Sequence, residues 1–156
     1  MITEIPTNAP IRNRQGQLAE FHRLCRGDAE AVHFCVLHDR YAHMLDDLID
    51  MDKPADPGVF ALLCMEIYSS PFFQRNSIAL RTVMRLSHSN WLDANEWEKS
   101  PVAWQRTEAD TIRHSGADVI RVVADLCGGW EAMRSISPVL RILGYEDHHD
   151  ADGKPT

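Results

Sequence analysis

The sequence predicts an all-α fold, a single-domain bundle of five to six helices with flexible termini. Three observations point there. Apolar residues recur at three- and four-residue spacing along most of the chain, and no run alternates apolar and polar as a half-buried strand would. Helix stops fall at intervals that suit a bundle: Gly27, Lys53-Pro54, Ser70-Pro71, Gly128-Gly129 and Gly144. A chain of 156 residues can also bury one core without metal or disulfide staples.

Taken in order, residues 1–14 read as a loose arm, polar and carrying Pro6 and Pro10. The helical domain is expected over 15–144 and a disordered tail over 145–156. In a first helix, about 15–26, Leu18, Phe21, Leu24 and Cys25 have helical spacing, and Gly27 ends it. Asp28 is the expected N-cap of a second helix over about 29–52. There Phe34, Leu37, Tyr41, Met44, Leu45 and Leu48 form a broad apolar face. Asp39, His43, Asp46 and Asp50 form a stripe on the other side, with Asp47 at its flank. Lys53-Pro54 stops this helix, because the residue before proline is pushed out of the α region. Asp56-Pro57-Gly58 turns the chain, with Pro57 suited to the first turn of the next helix.

Residues 59–68 are apolar nearly all round, which predicts a central helix whose one charged residue is Glu66. Beyond Ser70-Pro71, Phe73, Leu80, Val83 and Met84 make another stripe with Asn76 inside it, while Arg75, Arg81 and Arg85 face the other way. Residues 87–101 read as a helix end and a loop. A long helix is expected over about 102–127, stopped by Gly128-Gly129, and a short last one over about 130–143.

The formal charge of −7 argues against a nucleic-acid binder, which needs a basic patch to displace counterions. It suits a monomer or a small oligomer such as a homodimer. The four cysteines form no Cys-x-x-Cys pair and read as small hydrophobes in a reducing compartment. No secretory leader and no membrane span are expected, so the expected location is the cytoplasm.

Chemistry-bearing residues concentrate in the second helix. Asp46-Asp47-x-x-Asp50 puts three carboxylates within one turn, near the helix end where the macrodipole disfavours negative charge. Magnesium takes hard oxygen ligands, often one or two carboxylates plus water and phosphate oxygens. Asp46, Asp47 and Asp50 are therefore candidate ligands for Mg²⁺ or Mn²⁺; a plain solvated face is the competing reading. Glu66, a lone carboxylate in an apolar helix, is a candidate general base, or else pairs with Arg75 or Arg81, or is simply exposed. His43 is the other candidate proton carrier. Asn76 is a candidate ligand-binding residue or a satisfied core amide.

The string Leu45-Asp46-Asp47-Leu48-Ile49-Asp50 resembles the first aspartate-rich motif of class I isoprenoid synthases, which implies Mg²⁺ and a substrate diphosphate at those aspartates. The second motif of that family is not matched, and the chain is about half the length such a fold needs. A broader pattern runs from Asp46 to Pro54, then Ser70-Pro71-Phe72-Phe73-x-x-Asn76, Trp91, Glu96 and Gly128-Gly129-Trp130. It is similar to small α-helical proteins encoded by phages and prophages. That resemblance implies a setting in a host cytosol, and that Asp46, Asp47, Asp50 and Asn76 belong to one site. Two functions are therefore expected. One is a divalent-metal site that binds or hydrolyses a phosphate- or diphosphate-bearing small molecule, as a Mg/Mn-dependent phosphohydrolase would. The other is a non-enzymatic phage accessory or virion-associated protein that binds a host or virion protein, with no role for nucleic acid or membrane.

Overall fold

The computed structural model describes residues 14–51 and 53–148, with side chains described over 16–51 and 53–143. The expected arm and most of the expected tail lie outside the described residues. Among the described residues the structure is all helix with no strand, a single-domain bundle. Its helices are α1 (Arg14–Leu24), α2 (Ala29–Asp50), α3 (Pro57–Ser69), α4 (Pro71–Arg75), α5 (Ser77–Trp97), α6 (Ala103–Arg113) and α7 (Gly116–His148).

Local chemistry sets most of the boundaries. Arg26 and Gly27 take left-handed backbone (φ 50° and 82°) and turn the chain from α1 into α2. The Asp28 carboxylate accepts hydrogen bonds from the Glu30 and Ala31 amides, both at 3.0 Å, which satisfies two of the orphan donors of α2. Asp56 does the same for α3 at Gly58 and Val59, with Pro57 in the first turn. Ser70 serves two helices: its hydroxyl donates to the Ile67 carbonyl at 2.8 Å and accepts from the Phe73 amide.

The core forms where the first half of α2 meets α4, α5 and α7. Phe34 is fully buried and lies 5.7 Å from Phe72 and 6.4 Å from Phe73, ring centre to ring centre. Ile67, Leu80, Val119, Val123, Ile136 and Val139 close around these rings. Each such side chain contributes roughly 1.5–3 kcal/mol by leaving water. Cys25 and Cys35 are buried free thiols within this core, Sγ to Sγ 4.0 Å apart, so they pack as the small hydrophobes expected. Burial pushes the Cys127 thiol up to about 12.

Several elements differ from the sequence expectation. The helix end expected within 87–101 falls late: α5 runs to Trp97 and the loop is confined to 98–102, ahead of α6. The long helix expected over 102–127 is cut in two at His114 and Ser115. There the Ser115 amide bonds back to the Ile112 carbonyl and the Ser115 hydroxyl reaches the Ser87 carbonyl of α5. Gly129, at φ 73° and ψ −171°, breaks α7 at the predicted stop, after which the helix runs past Gly144 to His148. The largely apolar α3 is not central. Only Leu63 and Ile67 are buried, while Val59, Leu62 and Met65 are 44%, 55% and 63% exposed. No helix among the described residues is long and apolar enough to cross a membrane.

Candidate functional site

The acidic stripe of α2 does not converge on one point. Asp39 accepts a hydrogen bond from the Gln17 side-chain amide of α1 at 2.9 Å. The His43 ring, exposed, meets the Asp39 carbonyl of the preceding turn at 2.8 Å. Asp47 faces Lys53 at 3.6 Å, across the end of its own helix. Asp50 is exposed. Asp46 reaches α5 and α6: the Trp91 indole N–H of α5 approaches its Oδ1 at 3.5 Å, and the Arg113 guanidinium of α6 lies 3.7 Å away. Among the described residues, no three His, Cys, Asp or Glu side chains come together as a group that could hold a metal ion.

The other candidates sit apart. Glu66 is exposed on α3. Arg75, one of its expected partners, pairs instead with Asp28 at 2.9 Å and with Glu30, locking α4 to the start of α2. Asn76 donates from its side chain to the Phe72 carbonyl at 3.0 Å, tying α4 to the start of α5 as a satisfied amide would. It lines a shallow apolar groove along the first half of α5, away from the aspartates.

What Asp46 borders is a second groove of about 760 Å³, within the size range of small-molecule sites. Its α2 wall is His38, Tyr41, Ala42 and Leu45. Its α5 wall carries Arg81, Met84, Arg85, His88 and Trp91, and Arg113 and Gly116 close one end. Of the apolar side chains in the second half of α2, Leu45 lines the groove and is half-buried.

The charges of this groove are uneven. The Arg113 side chain is only 13% exposed and is answered by Glu98 and Asp46. Arg81 and Arg85 line the same wall and have no carboxylate partner among the described residues. They are four residues apart, so they are neighbours on one helix face and repel each other. The His88 ring stacks on Trp91, centres 5.8 Å apart. His38 is 5% exposed and packs between Phe34 and Tyr41, at 6.2 Å and 5.9 Å. Burial lowers its pKa to about 4, so the ring is neutral near pH 7 and offers one donor and one acceptor nitrogen.

Arg81, Arg85, His88 and Trp91 were not singled out as a site by sequence. The signal was present: no acidic residue lies between Glu66 and Asp93, a long gap in a chain of net charge −7. Reading 87–101 as a helix end followed by a loop leaves open that His88 and Trp91 continue the helix that carries the arginines. Fold and site together define a helical bundle with a cationic, aromatic-lined groove, suited to holding an anion by guanidinium hydrogen bonds. No protein-family model, curated protein or solved structure matches this chain.

Proposed function

We propose that this protein binds a small phosphate- or diphosphate-bearing molecule in the groove between α2 and α5, with Arg81 and Arg85 as its anion partners. One observation carries this: two like charges a turn apart, on a concave wall, with no acidic partner among the described residues. Such a pair destabilises an isolated helix by a few tenths of a kcal/mol, and a bound phosphate reverses the sign. A Mg²⁺ or Mn²⁺ ion fits as the companion of the phosphate, with Asp46 at the groove edge as its protein ligand, since magnesium often takes one carboxylate and completes its shell with water and phosphate. Neither His43 nor Glu66 lines the groove, and the proposed activity is binding.

The test is thermal melting and titration calorimetry with inorganic pyrophosphate, with and without Mg²⁺. Preferential binding to the folded chain stabilises it by about 2.7 kcal/mol at a hundredfold excess over Kd. The double variant Arg81→Ala/Arg85→Ala should lose that stabilisation. If the wild type melts at the same temperature with and without pyrophosphate, the groove is not an anion site.

The outer face of α3 favours a second role, that of a phage accessory protein acting through protein–protein binding. Val59, Leu62 and Met65 recur every three residues and stay exposed, as the seam of an interface would. If that face closes a homodimer, Leu62→Asp should convert it to monomer in sedimentation velocity. A chain that is monomeric before the substitution removes the homodimer.

A further inference from the structure

We infer that the ligand of this groove is nucleotide-like, a planar heteroaromatic ring carrying the phosphate, with the ring lodged between His38 and Tyr41 on one side and Trp91 on the other. The inference rests on the anion-binding role proposed above and names the part of the ligand that the arginines do not touch.

Two observations support it independently of the charges. The first is the character of the walls away from Arg81 and Arg85. Tyr41 is half-buried and stacks on Phe60 at 5.4 Å, which fixes its ring. Trp91 is held by its indole contact to Asp46 and by the His88 ring. Tyr41 on the α2 wall and Trp91 on the α5 wall present aromatic side chains to one groove, which Ala42 and Gly116 also line, and aromatic contact favours a flat group over an alkyl chain.

The second observation is His38. It is nine-tenths buried, lines the groove, and its contacts with other described residues are aromatic faces rather than hydrogen bonds. A neutral imidazole there has a donor and an acceptor to offer to the edge of a base, where adjacent ring nitrogens and amino or carbonyl groups present the complement. An alkyl chain in the same place makes no hydrogen bond with the imidazole.

The wild-type protein is titrated with four probes: a nucleoside monophosphate, the matching nucleoside, an alkyl phosphate of similar mass, and inorganic pyrophosphate. The expected result is a nucleoside monophosphate bound about tenfold tighter than the alkyl phosphate. His38→Phe, which keeps the ring and removes both nitrogens, should erase that preference while pyrophosphate still binds; Trp91→Leu, with helicity checked by circular dichroism, should do the same by removing the indole ring. An alkyl phosphate bound as tightly as the nucleotide overturns the ring assignment and leaves the anion site standing. No binding of pyrophosphate or of either organic phosphate overturns both.

Discussion

The buried imidazole of His38 makes acid stability the sharpest test of the fold around the groove. In the unfolded chain a histidine takes up its proton near pH 6.5; in the folded chain burial holds His38 down to about 4. Between those values the unfolded state binds a proton that the folded state refuses, so stability rises with pH. The contribution is fully present above about pH 6.5 and is lost as the pH falls through about 4. At 1.36 kcal/mol per pH unit, the difference at pH 4 amounts to roughly 3 kcal/mol, a large share of a typical domain stability of about 5–15 kcal/mol. The assay is urea unfolding at pH 7.5, 6, 5 and 4.5 for the wild type and for His38→Phe. The chain has seven other histidines and many carboxylates, so the difference between the two pH profiles is the quantity that isolates His38. The variant starts from a different absolute stability, since phenylalanine is larger, but its curve should be the flatter over this window. Parallel profiles for the two proteins would show that His38 is protonated as easily in the fold as out of it, and that the groove floor is wet.

Three further outcomes follow from the packing. Leu80→Ala removes a fully buried side chain from the contact of α5 with the core and should destabilise by about 2–5 kcal/mol in chemical unfolding. Gly129→Ala should cost about 1–3 kcal/mol, read as a lower melting temperature. A methyl group there meets nothing within 4 Å, so the loss comes from backbone at φ 73° and ψ −171° that only glycine adopts readily. Asp28→Ala removes the α2 cap and one partner of Arg75 and should cost about 0.5–2 kcal/mol, whereas Asp28→Asn, which keeps the cap, should recover most of it.

Much of the helical order was legible because punctuation is local. Asp28, Pro57, Ser70-Pro71 and Gly129 act within a few residues of themselves, through amides and φ angles that the chain carries wherever it goes. The breaks that escaped are set by distant partners. Nothing in residues 102–127 demands a stop at His114; the turn there brings Ser115 against the Ser87 carbonyl and lets Val119 and Val123 reach the core. Exposure is likewise a tertiary property. A largely apolar stretch such as 59–68 shows that burial is worthwhile on nearly every side, but α2 and α4 cover only the Leu63 and Ile67 side, and the rest of α3 faces outward.

The same principle separates the aspartates of α2 from the arginines of α5, on which the proposed site rests. Like charges one turn apart are a mismatch that invites a ligand only if the fold supplies no opposite charge. On α2 the fold supplies Lys53 for Asp47 and Arg113 for Asp46, while the neutral Gln17 amide and Trp91 indole donate to Asp39 and Asp46. On α5 none of the described residues answers Arg81 or Arg85, and the stretch from Glu66 to Asp93 contains no acid that might reach them from a neighbouring turn. A helix wheel treats the two stripes alike; only the neighbours that folding brings across from α1, α6 and the α2 terminus tell them apart. The unbalanced charge that remains is positive and set in a concavity lined with rings, and the proposed phosphate would sit against these guanidinium groups, with Asp46 beside the groove through its contacts with Trp91 and Arg113.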